Sequence, residues 1–437
     1  IYIILHSIRK DRQVSNMKEI SRRKFIKNSA ITVGALGLQS YAPTVIVKTK
    51  TKLRVLGTHV TLQEQIRKKA QKDLGIEIEF SPGGSAAVLH QASTHPESFD
   101  IYEQWSNSIK VLWQASAIQP IDKSRINFWD EINDLCKKGS IVPNAPKGLG
   151  DAPYKMLYVQ DDLSLNSNET NNISFLPYVH NTDSFGYNSR FIPKGVPYET
   201  ESWGWLLDKK YRGKVALVNA PTIGIFDAAL AVEAQGLMKF RNMGNMTRDE
   251  IDELFSILME YRLKGHFRGV WSSVPQSVEL MASGEVVIQS MFSPGVSALK
   301  GMGIPCVYAA PKEGYRAWHG VMCLSSGTTG NTKDAAYDFM NWWLSGWVGA
   351  FIARQGYYIS NPQRSKLFMN KDEWDYWYEG KPAENSLKGT DGNVSVQPGE
   401  VRTGGSYIKR FSNIAVWNTV MDTYEYSLLK WNEFLLS

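Results

Sequence analysis

Leu53-Arg54-Val55-Leu56, then Thr61-Leu62-Gln63-Glu64 opening a pattern that runs to Leu74, then Ile76-Glu77-Ile78-Glu79-Phe80, is the stretch that decides the fold. The first run is short and apolar, as a buried strand is. Thr61 and Glu64 stand at capping-box spacing and predict a helix start, and Gly75 can end that helix in the left-handed conformation. Ile76, Ile78 and Phe80 then alternate with Glu77 and Glu79, the period of a half-buried strand. Strand, helix, strand is a β-α-β unit. Such units predict a mostly parallel sheet with helices on its faces and ligands beyond the carboxyl ends of the strands.

The alternation continues outward from there. Pro82-Gly83-Gly84-Ser85 turns into a short helix, and Phe99-Asp100-Ile101-Tyr102 is a third strand. Residues 139–172, rich in Pro, Gly, Asn, Ser and Asp, interrupt the rhythm and read as a surface insertion. A second lobe follows: a strand over 213–218, a helix over 226–237, a helix capped at Thr247 and running to Lys264, a short helix over 273–283 closed by Gly284, and a strand over 285–290. Residues 335–344 and 350–354 read as helical. The aromatic tail 374–437 has no clear assignment. No internal repeat is found.

The chain has 437 residues, 43% of them hydrophobic and 21% charged, with three widely spaced cysteines. That is neither a disulfide-rich nor a disordered composition; one bridge is possible and none is implied. The net charge of +6 is concentrated in residues 9–27, where eight Lys or Arg face only Asp11 and Glu19. The remainder is near neutral, which argues against a nucleic-acid partner.

That basic segment contains Ser21-Arg22-Arg23-Lys24-Phe25-Ile26-Lys27 ahead of the apolar run Ala30 to Leu38. The pattern resembles a twin-arginine export signal. The run is shorter than the roughly 20 residues of a membrane span, so a removable leader over 17–42 and a periplasmic mature protein are expected.

Several landmarks follow in order: Phe99-Asp100-Ile101, Pro177-Tyr178, Gly186-Tyr187-Asn188, Tyr211-Arg212-Gly213-Lys214-Val215, Ser283-Gly284-Glu285-Val286, Pro311-Lys312-Glu313-Gly314, Trp318, Gly356-Tyr357 and Asn361-Pro362. Together they resemble the spermidine/putrescine-type family of extracytoplasmic solute-binding proteins, the receptors of ABC importers. The resemblance implies a two-lobed α/β periplasmic binding protein fold (type II) with crossing strands and a hinge-closing cleft. It places lobe 1 at 52–176 plus 315–358 and lobe 2 at 177–314 plus 359–437. It also implies a non-catalytic monomer that hands its solute to a membrane permease and needs no cofactor or metal.

Polyamine-binding members of the family hold ammonium groups with carboxylates in a loop resembling D-D-x-R-E and in a W-x-D motif. Here the corresponding residues are Ala220-Pro221-Thr222-Ile223-Gly224 and Trp318-His319-Gly320, without acids. What remains near the expected cleft is aromatic: Trp105, Trp271, Phe292, Trp318 and Tyr357, with Asp183 beside His180 as the one carboxylate. Rings without acids point to a methylated onium head group, since aromatic faces attract cations that donate no hydrogen bonds. Ser272 and Ser273 at a helix start could accept a carboxylate, which would suit a betaine or dimethylsulfoniopropionate. Thr58 and His59 past the first strand, and His319, complete the candidate set. Trp342, Trp343 and Trp347 are at helical spacing and read as core.

Polyamine binding remains an alternative. An exported enzyme is another, although G-x-G-x-x-G, Walker-type, H-E-x-x-H and paired-cysteine patterns are all missing from the sequence. Adjacent Tyr357-Tyr358 raises a ferric-ion receptor, but no clustered carboxylates accompany the pair.

Overall fold

Leu53 and Val55 are buried within a strand Lys52–Thr58 that runs parallel to Glu77–Gly83 on one side and to Ile101–Trp105 on the other. The computed structural model describes residues 50–436, so the leader expected at 17–42 lies outside the described residues. Between the first two strands, helix Glu64–Leu74 buries Ile66 and Ala70, one turn apart, and ends at Gly75 with φ 69°. The capping box expected at Thr61 does not form. The Thr61 hydroxyl turns inward to the Tyr178 hydroxyl at 3.0 Å, and Gln63 occupies the cap position without a side-chain bond.

Further strands extend this into one curled, twelve-stranded sheet. Its main path runs 267–271, 215–218, 288–291, 176–188, 315–325, 101–105, 52–58, 77–83. Two long strands, Leu176–Asn188 and Tyr315–Ser325, lie antiparallel at the centre and are buried along their whole length. Each serves both halves of the sheet. Leu176, Tyr178 and Val179 pack into a first hydrophobic core with Leu53, Ile101 and Phe339. Phe185 and Tyr187 pack into a second with Leu217, Phe226 and Leu258. The mixed α/β class expected from the alternating pattern is observed.

Several local readings need correction. Helix Pro221–Ala234 begins five residues before the expected start, because Pro221 is accommodated in the first helical turn. Residues 139–172 are not only a surface insertion: Met156, Leu157 and Tyr158 are buried in the first core, and strands Tyr158–Val159, Leu165–Asn166 and Asn172–Ile173 form a small sheet with Ile121–Asp122. The tail that resisted assignment supplies a third cluster. Trp374, Tyr376, Trp377, Tyr378, Tyr407 and Phe411 pack on Ala317 and Tyr358 at the middle of the sheet. Strand Ile414–Trp417 then runs parallel to the start of Tyr315–Ser325, and helix Tyr424–Leu436 returns to the second core through Trp431 and Phe434.

Candidate functional site

Antiparallel register sorts the two crossing strands into opposite faces. Asp183 is paired with Arg316, Asn181 with Trp318 and Val179 with Gly320 on one face; Thr182 with Ala317 and His180 with His319 on the other.

The first face carries charge. The fully buried Arg316 donates from Nε to Asp227 Oδ1 at 2.6 Å and from Nη1 to Asn418 Oδ1 at 2.9 Å. Asp183 Oδ2 stands 3.6 Å from Nη1, beyond hydrogen-bond distance, while its Oδ1 accepts from the Tyr308 hydroxyl at 2.9 Å. Two carboxylates therefore share one guanidinium, and Asp183 is the looser partner. Burial pushes its carboxyl up to about 6, even though Arg316 and the Tyr308 hydroxyl pull the other way. Asp227 is raised for the same reason. Arg316 Nη2, Asn181 Oδ1 and Asn418 Nδ2 are buried with no hydrogen-bond partner within the chain.

Aromatic rings line the same face. Phe292 lies 5.9 Å from the Arg316 guanidinium carbon and meets the Trp271 ring edge-on at 5.0 Å. Trp318 meets Tyr357 edge-on at 5.3 Å. Trp105 is half-buried and packs both on the first core and on the small cluster around Trp271, joining the two pairs. The local reason is simple. Trp105 and Trp271 are the last residues of parallel strands in the two halves of the sheet, and Phe292 directly follows a third. Burial, with the nearby Asp183 charge, holds the Tyr357 phenol well above its usual range.

The remaining sequence candidates lie elsewhere. His59 is exposed. Ser272 and Ser273 are exposed too, and they serve their own helix: Ser273 Oγ accepts from the Gln276 N–H at 3.4 Å and the Ser272 N–H donates to Gln276 Oε1 at 2.8 Å. Thr58 is buried, with its N–H on Glu103 Oε2 at 3.1 Å. Glu103 went unnoticed in the sequence; burial raises its carboxyl to about 7. His180 and His319 stack on the opposite face with centroids 5.0 Å apart, beneath Tyr407 and Phe411. Tyr357 and Tyr358 diverge by strand alternation, Tyr357 into the first core and Tyr358 into the third cluster, so they cannot act as a pair.

Asp227 and Arg316 are the residues that sequence reasoning missed. Asp227 was legible as the lone acid in Ile225-Phe226-Asp227-Ala228-Ala229-Leu230, and Arg316 as the residue two before Trp318, hence on the same strand face. An open groove of about 900 Å³, lined by Pro294, Ser297, Arg354, Gln355, Thr390 and Ser395, starts two residues beyond Phe292 and two before Tyr357.

A model of the family described as bacterial extracellular solute-binding protein matches residues 65–376. The chain belongs to this family. Solved structures of similar fold include the spermidine/putrescine ABC transporter substrate-binding protein of Streptococcus pneumoniae, at TM-score 0.56 and 14% identity over 88% of this chain and 99% of that one. The TpPotD lipoprotein of Treponema pallidum gives TM-score 0.61 and 12% identity over 89% and 100%. AgtB from A. tumefaciens R10, solved with agropinic acid, gives 0.54 and 14% over 89% and 99%. The fold of this solute-binding protein is therefore the two-lobed periplasmic one. Its family binds small solutes outside the cytoplasm, and among the described residues no helix is long and apolar enough to cross a membrane.

Proposed function

We propose that this chain is the substrate-binding component of an ABC importer and that it carries a small organic cation, an amine in the first instance. The supporting observation is Asp183: a buried carboxylate with one loosely paired oxygen, on the strand face where Phe292 approaches its partner Arg316 and rings from both halves of the sheet gather. An ammonium entering there gains a charge-assisted hydrogen bond from the acid and the negative faces of the rings. The sequence argument against polyamines rested on missing acids, and Asp183 together with Asp227 weakens it. The polyamine transporters among the structural neighbours point the same way.

In this reading the two cores are the two lobes, the ring band lines the cleft between them, and the lobes close around residues 181–184 and 316–319. Delivery to an inner-membrane permease follows from the same class. A second reading, a methylated onium solute such as choline, glycine betaine or dimethylsulfoniopropionate, draws on the number of rings. In it the unpartnered Arg316 Nη2 would meet the carboxylate of a zwitterion.

A thermal-shift panel of spermidine, putrescine, choline, glycine betaine and dimethylsulfoniopropionate separates the readings. A ligand at about one hundred times its dissociation constant adds roughly 2.7 kcal/mol to stability, an easily measured shift. The expected outcome is stabilisation by an amine. A shift with the onium compounds alone would move the assignment to the second reading, and no shift with any of the five would remove both.

A further inference from the structure

His180 and His319 face away from the ring band, and a third residue joins them. The sulfur of Cys136 and one ring nitrogen of each histidine all lie within 4.8 Å of one another, and all three residues are buried. Cys136 Sγ is 2.8 Å from His319 Nε2. His319 Nδ1 lies 2.8 Å from the carbonyl oxygen of Gly320, which can only accept. The proton is therefore on Nδ1, and the Nε2 lone pair points at the sulfur. Metal-binding histidines are commonly fixed in this way, by a carbonyl holding the other nitrogen. His180 Nε2 sits 2.8 Å from the Tyr407 hydroxyl, while its Nδ1 is buried with no partner within the chain. Ser360 Oγ, 3.4 Å from His319 Nε2 and 3.6 Å from the Cys136 sulfur, completes the surroundings.

We propose that Cys136, His180 and His319 form a binding site for a single soft transition-metal ion, Cu(I). One thiolate with two imidazoles is a donor set suited to copper, and Cu(I) accepts the low coordination number available here. Charge favours the same ion. Cu(I) with one thiolate is neutral, whereas a divalent ion would leave a net positive charge in a site without exposed surface, and uncompensated buried charge is costly. Binding forms the sulfur–copper bond and releases the thiol proton to solvent. Donor bonds of about 2.0–2.3 Å to one ion put the two donor atoms roughly 3.5 Å apart, so the Cys136 thiol withdraws from His319 by under 1 Å. Because His180 and His319 are directly paired across the two crossing strands, a bound ion ties those strands together at their centre.

The test loads the full chain anaerobically with Cu(I), removes loose metal with a competing Cu(I) chelator, and measures copper per chain and protons released. About one copper and one proton per chain are expected, retained in Cys306→Ser and reduced at least tenfold in Cys136→Ser and His319→Gln. X-ray absorption on the loaded wild-type chain is expected to show sulfur and nitrogen neighbours, so the proposal remains testable if a variant fails to fold. No retained copper, equal copper in Cys136→Ser, a spectrum lacking sulfur, or retention of Zn(II) in preference to Cu(I) would overturn it.

Discussion

The two faces of the crossing strands make the instructive comparison. On one, the Asp183–Arg316 network ends in unpartnered polar atoms beside rings of the first core and of the small cluster around Trp271. On the other, Thr182, His180 and His319 are sealed under the aromatic tail, where Tyr407 bonds to both His180 and Asn133 at 2.8 Å and Arg410 donates to the Thr182 carbonyl at 3.0 Å. Both faces keep unused polar atoms, but on the second the unpartnered His180 Nδ1 is enclosed with Cys136 and His319 under the tail, whereas on the first they meet aromatic rings from both halves of the sheet. Unused, desolvated polar atoms are costly unless something completes them. The first face joins such atoms to a carboxylate and a band of rings, which is why it is the one proposed for the solute.

The sharpest way to break this comparison is to unbalance the first face. Asp227→Leu leaves Arg316 with Asp183 as its one, loose, carboxylate partner beside the neutral Asn418, and breaking a buried pair in this manner costs about 3–5 kcal/mol. Urea denaturation should register a loss of that size; a loss under about 1 kcal/mol would mean that Arg316 does not depend on Asp227.

Asp183→Asn comes next and should act on binding. Removing one partner of a buried charge pair typically costs about 2–5 kcal/mol, a roughly thirtyfold or greater loss of affinity for a bound amine by titration calorimetry. The matched change on the opposite face, Tyr407→Phe, should leave affinity unchanged and cost about 1–3 kcal/mol of stability through the lost hydrogen bonds to His180 and Asn133. Equal effects of the two changes on affinity would erase the distinction between the faces. Trp105→Leu keeps apolar volume and removes one ring, which should weaken binding by about 0.5–2 kcal/mol.

The pH dependence gives the finest discrimination. Burial raises Asp183 to about 6, above its value in the unfolded chain, so the folded protein holds that proton more tightly. The resulting stabilisation is fully present below about pH 4 and is lost as pH rises through about 6. Glu103, raised to about 7, has the same sign and loses its contribution slightly higher. Binding of a cation runs the opposite way, since it needs the ionised acid. Affinity for an amine should fall as pH drops below about 6, by at most tenfold per unit, and Asp183→Asn should flatten that slope. A slope unchanged in Asp183→Asn would place the titrating group elsewhere.

Much of the fold was legible because it is written in local patterns. Gly75 ends its helix with positive φ, and Thr247 caps the helix Arg248–Leu263 with a capping box completed by Glu250. The rings were legible because strand ends in a parallel sheet project into a common space, which brought Trp105, Trp271 and Phe292 together. What failed was long range. The sequence shows no acid at the position of the family's acidic loop after strand Val215–Val218, where the chain enters helix Pro221–Ala234 at once, and the acid that meets Arg316, Asp227, stands about two turns along that helix. Its partner Arg316 lies 89 residues away. Cys136 meets His319 across 183 residues, a distance no spacing motif covers. The aromatic tail has no period of its own, since its residues are arranged by the central strands on which they pack.

The central claim is tested most directly by a crystal structure of the chain grown with spermidine. The account predicts an ammonium nitrogen within hydrogen-bond distance of the Asp183 carboxylate, with the carbon chain against the rings of Trp105, Trp271, Phe292, Trp318 or Tyr357. Density for the amine in the open groove by Arg354 and Thr390, with Asp183 untouched, would contradict it.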